Sequence, residues 1–237
     1  MRIAGKLAAN TLEYIHNHVV PGVNLKTLDQ LCEKYILQNN GNPALKGYRG
    51  YPFATCISVG HVVCHGVPTD QILKDGDMVS IDITVEVDGW YGDACRTFAV
   101  GNLSIKHKQL IEYSEKAMWE GIKRIKPGVH SSEIGRTIQA YTKPLNLRVI
   151  EEYCGHGIGN EIHMYPNILN YYNPDVGVIL QPGMFITVEP ILTIGSGKTI
   201  LLDDGWTVVS SDGQPCAQFE HTVAVTEFGY EVLTLID

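Results

Sequence analysis

The chain has 237 residues, of which 44% are hydrophobic and 19% are charged, and this composition predicts a globular protein with a large buried core. Acidic residues outnumber basic ones by 26 to 18, and no lysine- and arginine-rich run could follow a phosphate backbone, so nucleic acid is not expected as a main ligand. The apolar stretches have strand length and the first residues lack the apolar core of a secretory peptide, which predicts a cytoplasmic protein without a membrane partner.

Two helices are predicted at the start of the chain. Apolar residues recur at three- and four-residue spacing from Ala4 to Val19, and Pro21 then ends this helical pattern. Leu28 and Tyr35 follow at spacings that suit a second helix.

A β-hairpin that carries two aspartates is predicted next. Residues 80–87 alternate strictly between apolar and polar side chains, and Asp88-Gly89 signals a tight turn. If the turn has two residues, Asp93 lies opposite Thr84, which shares a face with Asp82, so both aspartates project to one side. A bulged or odd-length turn would separate them. A solvated polar face is the common alternative for such a pattern.

The second half of the chain repeats this order. Residues 110–125 have helical spacing, and Pro127-Gly128-Val129 follows Pro21-Gly22-Val23 by 106 positions. A strand-like run that ends in one acid also recurs, at Asp82 and, 107 positions later, at Glu189. We therefore expect a duplicated unit.

The repeat predicts the fold class. Helix, helix and strands in each half indicate an α+β fold with a mostly antiparallel sheet covered by helices. We expect one catalytic domain, 1–237, with related halves at roughly 1–105 and 106–237.

Further acids stand inside strand-like runs of the second half. Glu189 and Glu220 each occupy such a run, where a lone carboxylate is costly unless it is compensated. A glycine-rich loop, residues 154–163, carries His156 and His163, and glycines on both sides of His156 allow close approach of the backbone. If four acids and a histidine converged, their repulsion would require cations, and two divalent ions would remove it. Such ligands suit Mn, Fe, Co or Zn, whereas a single Mg or Ca ion would leave His156 unexplained.

Five segments form a specific set when they occur together in this order: Tyr51-Pro52 through Cys64-His65-Gly66-Val67-Pro68, Ile81-Asp82 to Gly92-Asp93, Tyr153-Cys154-Gly155-His156-Gly157-Ile158-Gly159, Thr187-Val188-Glu189-Pro190 and Gln218-Phe219-Glu220-His221-Thr222. Together they resemble the type I methionine aminopeptidases, and the resemblance runs through essentially the whole chain. The resemblance implies the "pita-bread" fold of two pseudo-symmetric halves and a bacterial-type or organelle-type enzyme. Its implied activity is removal of the initiator methionine from nascent proteins and peptides with a small second residue.

The resemblance also implies the metal ligands and the mechanism. The implied ligands of two divalent ions are Asp82, Asp93, His156, Glu189 and Glu220, with Asp93 and Glu220 spanning both ions. A water or hydroxide that bridges the ions would attack the first peptide carbonyl, with Glu189 as general base. His163 would stabilise the oxyanion, and His65 would contact or protonate the scissile nitrogen. From the residues alone, His65 also fits an ordinary buried histidine and His163 a surface-loop histidine.

A methionine pocket is implied by the same alignment. Its expected lining is Tyr48, Tyr51, Cys56 and Trp206, with contributions from Phe53 and Leu45, although aromatic residues taken alone more often belong to a core. The sequence departs from the family pattern at Leu45, Asn160 and Met164, and at Gly60 beside a loop where the family suggests a monovalent cation.

Partners and alternatives follow from the resemblance. We expect a monomer that acts on N-terminal methionine peptides and nascent chains, with transient ribosome association left open. The chain starts inside the first predicted helix, so we expect it to lack the short N-terminal segment of many relatives. An aminopeptidase P or prolidase uses a similar site but carries an N-terminal domain that 237 residues cannot include. A catalytically inactive relative that binds RNA or protein is the alternative from another class.

Overall fold

A computed structural model describes residues 1–236 of the chain. The helices within these residues are α1 Arg2–His16, α2 Leu25–Gln38, α3 Ile105–Ile122 and α4 Ser132–Thr142, with 3₁₀ turns at Tyr48–Gly50 and Lys143–Leu145. The strands are β1 Asn42–Pro43, β2 Cys56–Val59, β3 Val62–Cys64, β4 Met78–Val87, β5 Trp90–Ala99, β6 Arg148–Val149, β7 Gly155–Gly157, β8 Met164–Ile168, β9 Phe185–Val188, β10 Ile191–Thr193, β11 Thr199–Leu201, β12 Val208–Ser210, β13 Cys216–Gln218, β14 Glu220–Val225 and β15 Tyr230–Val232. None of the helices in this described part is long and apolar enough to cross a bilayer.

The predicted helices exist, but two of them end earlier than their apolar pattern. Helix α1 ends at His16 and α3 at Ile122, so Val19 and Ile125 lie beyond the helices. Both residues are nevertheless buried in the core. The expectation that they were helical was wrong, because the chain leaves the helix before each proline. Val19 and Ile125 reach the core from the turns that follow the helices.

The main sheet joins the two halves of the chain. Its nine strands include the path β1-β4-β5-β14-β9-β7-β8, and every strand pair formed by residues 1–236 is antiparallel. The α+β class with a mostly antiparallel sheet is therefore confirmed. The central pair is β5 with β14, so residues more than 120 positions apart in sequence become neighbours in the middle of the sheet.

Helices cover one face of this sheet. Helices α1 and α2 pack with the apolar face of β4 and β5 in one core cluster, and α3 and α4 pack with β9 and β14 in another. Burial of these apolar faces supplies the main driving force for the fold. The opposite face of the sheet, beyond the helices, carries the polar side chains of the same strands.

The β4–β5 hairpin has the predicted register. Asp88 and Gly89 have φ of 51° and 81°, as a two-residue hairpin turn requires, and Thr84 pairs with Asp93. The polar face is not solvated, because Ser80 and Thr84 are 4% and 1% exposed. The hairpin therefore places both aspartates on one buried polar face.

Candidate metal centre

The strand register assembles the acids into a row that crosses the sheet, which we call the carboxylate row. Asp82 on β4 pairs with Cys95 on β5, and Cys95 pairs with Glu220 on β14. His221 pairs with Val188 of β9, so the next step of that register brings Glu189 beside Glu220. Residues that pair directly point to the same face, and three acids from both halves thus share it.

A second row, the threonine row, runs beside the first. Thr84 pairs with Asp93, and Asp93 exchanges hydrogen bonds with Thr222, whose hydroxyl donates to the Asp93 carbonyl at 2.8 Å. Thr222 pairs with Thr187, which accepts a hydrogen bond from the His156 amide at 3.0 Å. Asp93 and His156 therefore stand on the same face of the sheet as the carboxylate row.

The five predicted ligands lie together. One ligand atom from each of Asp93, His156 and Glu220 falls within 4.8 Å of the others. His156 Nε2 lies 3.5 Å from Glu189 Oε1 and 4.0 Å from Asp93 Oδ2. Asp82 borders the same cavity. We name these five residues, Asp82, Asp93, His156, Glu189 and Glu220, the ligand cluster.

His156 is held with Nε2 directed toward the acids. Its Nδ1 lies 2.9 Å from the Gly157 carbonyl, to which the protonated Nδ1 donates, and this leaves the lone pair on Nε2. Burial and, to a smaller extent, repulsion from His163 lower the pKa of His156 to about 4, so the ring is neutral near pH 7. A neutral imidazole with a free Nε2 is the form that binds a metal ion.

The glycines beside His156 have the role that the sequence suggested. A Cβ at Gly155 would stand 2.3 Å from the Thr187 carbonyl oxygen, and a Cβ at Gly157 would stand 2.5 Å from the Tyr165 carbonyl oxygen. Strand β7 can therefore approach β9 and β8 only because both positions lack a side chain.

Three threonines that the sequence analysis did not assign orient the acids. The Thr84 hydroxyl donates to Asp93 Oδ1 at 2.9 Å, and the Thr187 hydroxyl donates to Glu189 Oε1 at 2.8 Å. Thr222 binds the backbone of Asp93. Each threonine lies two residues from a ligand on its own strand or directly opposite one, and this spacing is a signal that the sequence contains.

The ligand cluster has the electrostatics of a cation site. Burial raises the pKa of Asp93 to about 7 and of Glu189 to about 8. Burial followed by repulsion from the neighbouring carboxylates also raises the pKa of Asp82 and Glu220 well above the usual range. Asp82 Oδ1 and Glu220 Oε1 are buried oxygens with no hydrogen-bond partner among residues 1–236. Four acidic oxygen donors, two with unsatisfied atoms, and one neutral imidazole fit divalent cations.

His65 lies beside the cluster in an unusual backbone conformation. It follows β3, and its φ of 52° is uncommon for a residue with a side chain. Its ring meets the edge of Tyr153 with centroids 5.4 Å apart, and burial lowers its pKa. Backbone strain of this kind often marks a functional position.

His163 faces His156 from the start of β8. The two ring centroids are 4.3 Å apart, and Tyr48 Oη lies 2.9 Å from His163 Nδ1. Arg49, whose guanidinium carbon lies 5.2 Å from the Tyr48 ring centroid, was not singled out from the sequence. Burial lowers the pKa of His163, and Arg49 lowers it further.

The predicted site residues other than Phe53 line one cavity of about 380 Å³. They include the four expected pocket residues, Tyr48, Tyr51, Cys56 and Trp206, and also Leu45. Tyr51 is 1% exposed and meets Trp206 edge to face at 5.0 Å. Phe53 is not part of the wall, contrary to expectation, because its ring packs against Tyr51 with centroids 6.4 Å apart. A larger open cleft, about 1030 Å³, contains none of the predicted residues.

Several cavity residues were missed by the sequence analysis. They are Arg49, Cys64, Thr84, Glu152, Tyr153, Cys154, Ile191 and Gln218. Five of them lie inside the recognised segments and the other three, Arg49, Glu152 and Ile191, flank one by one or two positions, but nothing in the sequence shows that they face the cavity. Of the departures from the family pattern, Asn160 is exposed, and the Gly60 carbonyl accepts the Cys216 amide at 2.9 Å.

Comparison with known proteins gives this chain clear relatives. The metallopeptidase family M24 matches residues 1–227. A methionine aminopeptidase from Rickettsia prowazekii is 48% identical over 99% of this chain and 91% of its own length. A crystal structure of methionine aminopeptidase from Rickettsia prowazekii matches with a TM-score of 0.97 over 99% of this chain and 95% of that chain. Prolidase from Pyrococcus furiosus, 23% identical, matches with a TM-score of 0.79 over 100% of this chain and 63% of that chain, which is a likeness of fold alone.

Proposed function

Because this chain belongs to metallopeptidase family M24 and is an aminopeptidase that removes N-terminal methionine, we propose that the ligand cluster binds two divalent metal ions at which the peptide bond is cleaved. The observation that carries this proposal is the convergence of five ligand side chains from both halves on one polar sheet face. When bound, the ions would polarise the peptide carbonyl and lower the pKa of the attacking water. Asp93 and Glu220, on the two central strands, are assigned to both ions.

Glu189 is the proton acceptor in this proposal. The hydrogen bond from the Thr187 hydroxyl fixes one of its oxygens. A carboxylate held beside the attacking water can accept its proton. Its place at the end of β9 brings it to the cavity beside His156.

His163 and His65 act on the substrate in this proposal. Both line the cavity, and neither imidazole is expected to be charged near neutral pH because burial lowers the pKa of each. A neutral imidazole N–H can donate to the oxygen that becomes negative as the carbonyl is attacked, and we assign this role to His163. His65 is assigned to the scissile nitrogen.

The methionine side chain is assigned to the part of the cavity lined by Tyr48, Tyr51, Cys56 and Trp206. Aromatic faces and a buried thiol suit a polarisable thioether. The Tyr51 hydroxyl shares its single hydrogen between the carbonyls of Thr55 and Gly66, at 2.9 and 3.1 Å, so its ring is held against the segment that carries His65.

The reducing environment of the cytoplasm fits the six cysteines, all of which are free in the described structure. We infer a cytoplasmic enzyme whose substrates are N-terminal methionine peptides and nascent chains. A monomeric state and ribosome association stay predictions.

A peptide pair tests the proposal. Purified protein, stripped with a chelator and returned to Mn or Co, should cleave Met-Ala-Ser and leave Ala-Pro-Ala intact. Cleavage of Ala-Pro-Ala alone would instead indicate the activity of an aminopeptidase P. Metal analysis of the purified protein should give two divalent ions per chain, and a protein that binds none would be a binding module.

A further inference from the structure

Tyr48 is joined to His163 by a hydrogen bond that the methionine pocket does not require. Tyr48 Oη lies 2.9 Å from His163 Nδ1, and the ring centroids lie 5.5 Å apart. Within residues 1–236, Tyr48 is the hydrogen-bond partner of the His163 ring. Nε2, on the other side of the ring, is therefore free to meet a substrate in the cavity that His163 lines.

The chemistry of the pair decides which atom carries the proton. A phenol O–H is a better donor than the N–H of a neutral imidazole, and an imidazole nitrogen is a better acceptor than a phenol oxygen. The favoured arrangement has Tyr48 donating to Nδ1, and the imidazole proton then resides on Nε2. Only this tautomer presents an N–H to the cavity, because the other would present a lone pair.

We propose that Tyr48 is a positioning residue that fixes His163 in the Nε2–H tautomer and directs this N–H at the oxygen of the scissile carbonyl. The inference rests on the role proposed for His163. Tyr48 thus has two duties, since its ring faces the methionine side chain and its hydroxyl orients the group that acts on the peptide bond.

The turn that carries Tyr48 is built to hold it in place. Gly47, Arg49 and Gly50 have φ of 89°, 48° and 88°, and Arg49 adopts a conformation that residues with side chains seldom adopt. The Gly47 amide donates to the Tyr51 carbonyl at 2.7 Å, and the Tyr51 amide donates to the Tyr48 carbonyl at 2.9 Å. Since Tyr51 is fully buried, this closed turn anchors Tyr48 to the core. The Arg49 guanidinium then packs over the Tyr48 ring.

Tyr48→Phe separates the two duties. The variant keeps the aromatic wall and removes only the donor, so KM for Met-Ala-Ser should stay unchanged while kcat falls about tenfold, the size of one lost hydrogen bond. If Tyr48 is only a wall, both parameters stay at the parent values, and the inference is wrong. A change confined to KM would equally contradict it.

Tyr165→Phe is the matched control. It removes the same oxygen two positions from His163, but Tyr165 is 77% exposed, does not line the cavity, and makes no hydrogen bond through its hydroxyl within the described residues. We expect neither kinetic parameter to change in this variant.

Nitrogen NMR gives a readout that is independent of turnover. In protein labelled with ¹⁵N-histidine, both metal-free and zinc-loaded, His163 should show the Nε2–H tautomer, and Tyr48→Phe should show a mixture of tautomers. The His163 signals are identified by their loss in His163→Gln. An Nδ1–H tautomer in the parent, or an unchanged tautomer in Tyr48→Phe, would overturn the inference. A parent that fails to cleave Met-Ala-Ser would instead refute the proposed function, so the two failures are distinguishable.

Discussion

At the residue scale, the buried carboxyl group of Glu220 opposes folding of the metal-free protein and suits a metal site. It is 3% exposed, its Oε1 has no hydrogen-bond partner in the described structure, and burial with three neighbouring acids raises its pKa. A carboxyl group held this way disfavours the metal-free fold and favours a cation. The burial of this carboxyl group is therefore the reason both for its cost in stability and for its fitness to bind a cation.

Glu220→Gln should therefore abolish activity while it stabilises the metal-free protein. The amide keeps the volume of the side chain but removes the charge, so we expect the midpoint of thermal unfolding in chelator to rise. Turnover of Met-Ala-Ser should fall more than about a hundredfold, because even residues that only orient ligands reduce activity 10–100-fold. Differential scanning calorimetry and a peptide assay measure the two effects.

Glu231→Gln provides the control for that change. Glu231 is a surface acid whose Oε1 lies 2.6 Å from Arg2 Nε, and exposed ion pairs contribute little. We expect turnover at the parent level and a small change in unfolding. A Glu220→Gln enzyme with near-parent turnover would contradict the dinuclear site.

At the element scale, the hairpin was predictable and the rest of the sheet was not. The Asp88-Gly89 turn and strict alternation determine which residues of β4 and β5 face each other, so Asp82 and Asp93 could be placed on one side from the sequence. The pairing of β5 with β14 joins positions more than 120 residues apart, and no local pattern encodes it. For that reason Glu189, Glu220 and His156 were brought to the same site only by the family resemblance.

Gly157→Ala should disrupt the packing of strand β7, which carries His156. The new Cβ would stand 2.5 Å from the Tyr165 carbonyl oxygen, so β7 and β8 must separate. We expect about 1–3 kcal/mol of destabilisation, typical of overpacking, together with weaker metal binding. Urea unfolding and titration with Mn would measure these losses.

Gly159→Ala is the comparison within the same loop. There a Cβ would meet the Met164 sulphur at 3.2 Å, in a flexible side chain, and the Trp90 ring at an ordinary contact distance of 3.8 Å. We expect Gly159→Ala to keep the metal affinity of the parent. Equal losses of stability and metal affinity in both variants would show that close packing does not explain the glycine at position 157.

Asp29 couples helix α2 to the pocket. This buried carboxylate accepts hydrogen bonds from the Ala54 amide and from the amide and hydroxyl of Thr55, at 2.8–3.0 Å. Asp29→Ala removes Oδ1, the atom that accepts all three hydrogen bonds, and leaves their donors without a partner, so we expect a loss of about 1–3 kcal/mol in unfolding free energy. Because Tyr51 donates to the Thr55 carbonyl, KM for Met-Ala-Ser should also rise. An unchanged KM would mean that the pocket does not depend on this anchor.

At the scale of the whole molecule, the site lies on the junction between the two halves. Strand β5 of the first half and β14 of the second half each contribute one candidate ligand, and the other candidate ligands flank them. The apolar clusters stabilise each half from the helical face, while the polar face brings together four acids that repel. Metal binding should therefore stabilise the complete protein.

The pH dependence of stability should reverse when metal is added. The pKa of Asp93 is raised from 3.8 to about 7 and that of Glu189 from 4.5 to about 8. Their contribution to stability is thus full below pH about 4 and is lost as pH rises through 7 and 8, because the unfolded chain releases these protons first. In chelator, the unfolding free energy should fall between pH 5 and 8. The expected slope is about 1.4 kcal/mol per pH unit for each group that is protonated in the folded protein and ionised in the unfolded chain.

Excess Mn should give the opposite trend, because ligands deprotonate when they bind a metal ion. Thermal unfolding at several pH values, with chelator and with Mn, measures both slopes. Metal-free protein whose stability rises over this range would contradict the repulsive cluster, and Glu220→Gln should have a shallower slope than the parent.

The central β5–β14 pair has one more consequence, for motion. This pair joins the two halves beside the candidate ligands, so bound cations would link the halves across the middle of the sheet. Hydrogen exchange at Ala94, Cys95 and His221 should slow on metal binding more than exchange in α2 or α4, which contribute no candidate ligand. Removal of the ions should first increase local opening between the halves. The enzyme would then lose activity before either half unfolds.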